Sequence, residues 1–132
     1  IGSVMTPAPL TVSEDDSLDV ARRLMVRERI HHVPVVRGSE VVGMLTDRDL
    51  HLISYLANDL LREADLVAGD ACVPDPYMVP PELPLEEVLR EMGSRRIGSA
   101  LVVRRGRLIG IFTAHDACTQ LAHMLGAMTV FA

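Results

Sequence analysis

Two short stretches carry the residues best placed for chemistry, and the chain carries them twice. Thr46 and Asp49 are spaced Thr-x-x-Asp, and Thr113 and Asp116 repeat that spacing. Where such a stretch opens a helix, the hydroxyl caps free backbone N–H groups and the carboxylate three residues on answers the helix dipole, a variant of the capping box. His31 and His32 are adjacent at the entry to a β-branched run, where successive side chains point to opposite faces. With no carboxylate or cysteine at ligand spacing, they predict no metal site. Cys72 and Cys118 are isolated and form no C-x-x-C pair, so both are expected as small buried core residues in a reduced, cytoplasmic setting. There is no nucleophile elbow, no P-loop and no G-x-G-x-x-G, and neither aspartate has a recognisable base or nucleophile beside it. No enzymatic activity is expected; a small nucleotide hydrolase or transferase would need a metal site or a general base that these residues do not supply.

The elements that must hold these stretches are themselves duplicated. Sliding the chain by 67 residues aligns residues 1–50 with 68–117 without a gap, with fifteen identical positions, among them Gly2/Gly69, Pro7/Pro74, Gly43/Gly110, Thr46/Thr113 and Asp49/Asp116. Two copies are too few for a solenoid, so a pseudo-two-fold pair packed face to face is expected. In the first copy Leu18, Ala21, Leu24 and Met25 recur at helical spacing after the acidic stretch Glu14 to Asp16. In the second, Pro84 stands at a first-turn position, Glu86 and Glu87 face the dipole, and Leu85, Val88, Leu89 and Met92 form the stripe. Each helix precedes a hairpin, Val33 to Val36 with Val41 to Leu45, then Ala100 to Val103 with Leu108 to Phe112, turning at Gly38-Ser39 and Arg105-Gly106. A second helix follows, from about Asp47 to Ala57 and from about Ala114 to Leu125. With a short strand near Thr11 or Met78, each copy reads β-α-β-β-α, a mixed α/β (α+β) fold. The divisions are copy one over 1–57, a partly helical connector over 58–67, copy two over 68–125 and an apolar tail over 126–132, the two copies forming one module.

Thirteen basic and eighteen acidic side chains leave a net charge of -5, which gives no footprint for nucleic acid or anionic lipid. No apolar run reaches the roughly 18 residues that span a bilayer. Arg22, Arg23, Arg27 and Arg29 interleave with acids, as a solvated helix face does. Leu52 and Tyr55 lie off the main stripe of Leu50, Ile53 and Leu56, and suit a helical homodimer face.

The segments Val4-Met5-Thr6-Pro7, His31-His32-Val33-Pro34-Val35-Val36, Gly43-Met44-Leu45-Thr46-Asp47-Arg48-Asp49-Leu50 and Gly110-Ile111-Phe112-Thr113-Ala114-His115-Asp116-Ala117 together resemble a tandem pair of CBS motifs, named after cystathionine β-synthase. The cadence of both halves is similar to the acetoin-utilisation B type. The resemblance implies a regulatory module with clefts between the two copies that take adenosine-containing ligands such as AMP, ADP, ATP or S-adenosylmethionine, and signalling through a partner protein or a dimer rearrangement. It implies that Thr46 with Asp49, and Thr113 with Asp116, supply a hydroxyl and a carboxylate to the ligand. A ribose presents two neighbouring hydroxyl donors, and a carboxylate offers two acceptors at matching separation. Arg48 and His115, in the first turn of their helices, suit a phosphate tail; Arg48 keeps its charge at any physiological pH, whereas histidine titrates near pH 6.5 in model peptides. The strand entries His32-Val33-Pro34 and Ser99-Ala100, with Met44, would line the adenine pocket. The alternative is a non-binding assembly protein with vestigial clefts, in which the capping box accounts for both aspartates.

Overall fold

The β-branched hairpins form the centre of each half of the protein, and the helices cover one face of each. A computed structural model describes residues 1–56 and 65–129. Among them the chain runs β1 (Thr6–Pro7), β2 (Val12–Ser13), α1 (Leu18–Glu28), β3 (His32–Arg37), β4 (Glu40–Thr46), α2 (Asp47–Leu56), α3 (Ala68–Ala71), β5 (Met78–Val79), α4 (Leu85–Arg95), β6 (Ser99–Arg104), β7 (Arg107–Thr113) and α5 (Ala114–Thr129). This is the expected mixed fold, with β2-α1-β3-β4-α2 repeated as β5-α4-β6-β7-α5, while β1 and α3 have no counterpart element in the other copy. One sheet has the order β2-β3-β4 and the other β1-β7-β6-β5. Both hairpins close through two residues: Gly38 takes positive φ at the first, Arg105 and Gly106 at the second, the pattern that matches the twist of paired strands.

The two compact units do not coincide with the two sequence copies. One lies within Pro9–Pro76; the other joins Ile1–Ala8 to the chain from Tyr77 onward. Each copy gives its first residues to the other copy's hairpin. Thr6 and Pro7 pair antiparallel with Ile111 and Gly110 on β7. Their repeat-equivalent Val73 bridges Met44 on β4, with N–H to O distances of 2.9 Å in both directions. The amide of Gly2 donates to Pro81 O at 3.0 Å and that of Gly69 to Glu14 O at 2.9 Å, again equivalent positions. At each crossing a side chain on the hairpin glycine would force a neighbour to shift: a Cβ on Gly43 would stand 2.5 Å from Cys72 Sγ, and one on Gly110 would collide with Met5 Sδ.

The period-two alternation turns Val33, Val35 and Leu45 onto Leu18, Ala21 and Met25 of α1 and Leu50 of α2 in one core. Ala100, Val102 and Phe112 meet Val88 and Met92 of α4 in the other. Ser17, rather than the acidic stretch, caps α1, its hydroxyl accepting from Val20 N–H at 3.3 Å. Glu14 instead pairs with Arg37 at 2.6 Å, and Asp16 accepts from Ser13 N–H at 2.8 Å. Pro84 stands at the N-cap of α4, one residue before its expected place.

Several expectations change. The helix α5 runs past Leu125 to Thr129, because Ala127 and Met128 are good helix formers and one glycine, Gly126, costs a helix only about 1 kcal/mol. The expected tail therefore starts inside a helix, and its residues 130–132 lie outside the described residues. So do Ala57 and residues 58–64 of the expected connector, whose far end leads into α3. Cys118 is exposed and Cys72 half-buried, so neither is the fully buried core cysteine expected. Leu56 is exposed with Leu52 and Tyr55, so the buried stripe of α2 reduces to Leu50 with Ile53 packed beside it. Among the described residues no helix is long and apolar enough to cross a membrane.

Candidate functional site

The same alternation that buries Val33 and Leu45 places His32, Pro34, Met44 and Thr46 on the opposite face of the β3–β4 hairpin. His32 stands across from Thr46, and Pro34 from Met44. Pro34 and Met44 are buried, whereas His32 and Thr46 are half-buried. Val33 directs its side chain into the core, so it offers a ligand only its backbone. In the second hairpin Ser99 stands across from Thr113, Ala100 from Phe112 and Leu101 from Ile111. Ala100, like Val33, is wholly in the core. Proline at position 34 changes the local ladder: Leu101, its equivalent, donates its N–H to Tyr77 O at 2.8 Å, and Pro34 has no N–H to give.

Each hairpin ends on its threonine, and the helix starts at the next residue. Asp49 Oδ2 accepts the Thr46 N–H at 2.9 Å, and the Asp49 N–H donates to Thr46 Oγ1 at 3.1 Å. Asp116 Oδ2 accepts the Thr113 N–H at 2.9 Å and the Asp116 N–H donates to Thr113 Oγ1 at 3.4 Å. These are reciprocal capping boxes, built twice. The copies differ in the hydroxyl proton, since Thr113 Oγ1 also donates to Asp116 Oδ2 at 3.1 Å. In both boxes the carboxylate contact is made by Oδ2, which leaves Oδ1 of Asp49 and of Asp116 without a hydrogen bond among the described residues. Arg48 and His115, one position before these aspartates, are exposed. Thus His32, Pro34, Met44, Thr46, Arg48 and Asp49 gather at one end of the first hairpin. Ser99, Thr113, His115 and Asp116 gather at the same end of the second.

Two histidine environments differ. Burial pushes the His32 imidazole below the usual histidine range; the charge of Asp47, and more weakly that of Asp49, works against this, while His31 adds to it. His31 Nδ1 lies 2.6 Å from Asp47 Oδ2. Burial works to raise the Asp47 carboxyl, but the hydrogen bond and charge of His31, with the Arg48 amide and His51, together outweigh it, and the group lies below the ordinary carboxylate range. That pair was not legible in the sequence, because the hairpin brings together residues that spacing alone does not relate. No group of three or more metal-ligating side chains occurs among the described residues. A groove of about 250 Å3 opens between α1 and α2, over Met25, Val26, Ile30 and Leu50 with His31 and Asp47 at its rim; none of the expected site residues lines it.

The family model for the CBS domain matches residues 1–53 and 68–123. The inosine-5'-monophosphate dehydrogenase of Korarchaeum cryptofilum is 36% identical over 115 residues, which make up 86% of this chain and 22% of that protein. The chain spans about a fifth of the length of the first curated relatives it matches. Among solved structures, an acetoin utilization protein from Vibrio cholerae superposes with a TM-score of 0.86 at 26% identity, over 100% of this chain and 96% of its own. CBSX2, solved in complex with AMP, gives a TM-score of 0.77 at 27% identity, over 94% of this chain and 96% of its own. A duplicated strand-helix-hairpin-helix, matched by one family model in both halves, places the chain in the CBS domain family as a tandem pair of its motifs.

Proposed function

We propose that this chain is a regulatory module that binds an adenosine-containing ligand (AMP, ADP, ATP or S-adenosylmethionine) and passes the change to a partner protein or to a second copy of itself, without catalysing a reaction. The observation that carries this reading is the spare oxygen of each capping aspartate. Asp49 and Asp116 are held by their own helices through Oδ2, so Oδ1 is pre-oriented for a ribose hydroxyl at no further entropic cost. The AMP complex of CBSX2 supports the ligand class. In this reading Thr46 and Thr113 share the ribose, and Arg48 and His115 attract the phosphates. His32, Pro34 and Met44 with the Val33 backbone, and Ser99 with the Ala100 backbone, meet the base. The motifs extend over 1–57 and 68–125, joined by 58–67 and followed by 126–132. The protein acts as a cytoplasmic homodimer through exposed apolar side chains of α2. Calorimetric titration of AMP, ADP, ATP and S-adenosylmethionine separately, with Asp49→Ala and Asp116→Ala alongside, tests it. Saturable binding lost in one variant is the expected result and identifies the working site.

A second reading, an assembly protein that binds nothing, is favoured by the completeness of the capping boxes and by the exposed Leu121, Met124, Leu125 and Met128 on α5. Folded protein that takes up none of the four ligands would establish it.

A further inference from the structure

The two sites are alike in their threonine and aspartate and differ at the position across the strand from the threonine. His32 faces Thr46 in the first hairpin, and Ser99 faces Thr113 in the second. Both positions are half-buried, so the side chain there meets whatever lies against the threonine end of the hairpin. An imidazole can carry a positive charge and a serine cannot. We propose that His32 is a specificity-determining residue of the first site, setting by its protonation the preference between anionic and cationic adenosyl ligands.

The inference rests on the ligand class proposed above. Thr46 from β4 stands across from His32, and the charged groups that act on it are Asp47 and Asp49 from the start of α2 and His31 on its own strand entry. Without ligand, burial outweighs the attraction of the two aspartates and favours the neutral form of His32. The phosphates that Arg48 draws to this end of the hairpin supply the missing negative charge, so a nucleotide draws a proton onto His32 and binds more tightly as the solution is acidified. S-adenosylmethionine brings a sulfonium, which a protonated His32 repels, and its affinity changes in the opposite direction.

AMP and S-adenosylmethionine are titrated into the Asp116→Ala protein, which leaves the first site, and into the same protein carrying His32→Ser, at pH 5.8 and 7.8. Serine already occupies the equivalent strand position at Ser99, so the substitution is compatible with the fold, and circular dichroism verifies it. The phosphate of AMP titrates near pH 6 in both proteins, so the comparison between them removes its effect. The preference for AMP over S-adenosylmethionine is expected to rise about fivefold to tenfold on acidification with His32, and to change by less than about twofold with Ser, since one pH unit of coupling is a factor of ten. The imidazole C–H resonance of His32, followed by NMR, is expected to titrate at higher pH once AMP is bound. Equal pH dependence in the two proteins, or a His32 titration that AMP does not move, overturns the proposal and leaves the ligand reading standing. Failure of both ligands to bind the Asp116→Ala protein at either pH overturns the proposal, and failure of the parent protein to bind them as well overturns the ligand reading too.

Discussion

Asp49 and Asp116 each use one carboxylate oxygen to hold their own helix and present the other, so capping and ligand binding fall on different atoms of one residue. Substitution can separate the two. Asp49→Ala removes the cap and is expected to cost about 1 kcal/mol in urea unfolding. Asp49→Asn keeps an acceptor for the Thr46 N–H and should lose much less stability, yet should weaken nucleotide binding as the alanine variant does. Equal binding by the asparagine variant and the parent would remove the carboxylate from the site. His32 supplies a second residue-scale test, independent of any ligand. Its folded pKa lies below the ordinary 6.5, so as pH falls past that value the unfolded chain takes up a proton that the folded one resists. Stability present above pH 6.5 is therefore lost on acidification. Chemical denaturation of the parent and His32→Ser between pH 5 and 8 should show a shallower slope in the variant; the remaining histidines contribute to both and cancel.

Among the elements, the exchanged arms depend on two glycines of the hairpins, and their seats are unequal. A Cβ at Gly43 meets Cys72 Sγ at 2.5 Å and, behind it, the backbone oxygen of Val73 at 2.8 Å, which belongs to the bridge with Met44 and has nowhere to go. At Gly110 the nearest obstacle is the flexible side chain of Met5. Gly43→Ala is thus expected to cost about 1 to 3 kcal/mol, as overpacking does, and Gly110→Ala less. Adding Met5→Ala should relieve the second variant, and adding Cys72→Ala should relieve the first only in part. Thermal unfolding of the four proteins checks the order; a Gly110→Ala variant less stable than Gly43→Ala would contradict it. A Cβ on Gly93 in α4 would meet nothing within 4 Å, so Gly93→Ala should raise stability by about 0.5 to 1 kcal/mol through helix propensity alone.

At the scale of the whole molecule, the folded units and the sequence copies have different boundaries. A fragment cut at the copy boundary, residues 1–57, lacks α3 and the Val73 bridge and carries an arm whose partner strand β7 is missing. A fragment of residues 9–76 keeps α3 and that bridge in one continuous stretch and carries no unpaired arm. Circular dichroism should show more helix and a more cooperative melt for 9–76 than for 1–57; the reverse order would mean that the arms add little. The exposed Leu52 and Tyr55 on α2 make a separate prediction: Tyr55→Glu should lower the mass in light scattering to that of one chain if this face joins two copies.

Much of this was legible in the sequence because it is local. The Thr-x-x-Asp spacing, the two-residue turns and the apolar period dictate caps, hairpins and buried faces through contacts a few residues long, and duplication made each of them readable twice. The family resemblance rested on the same short segments. Long-range partners were not legible. Nothing in Gly43 or Gly110 says which residue will cross them, since the arms that do so come from elsewhere in the chain. The pairing of His31 with Asp47 and the desolvation of His32 follow from the antiparallel register and its burial, not from spacing. Residue periodicity decided which side chains turn inward; only the tertiary packing decided what each of them meets, and so which titratable groups lost their water.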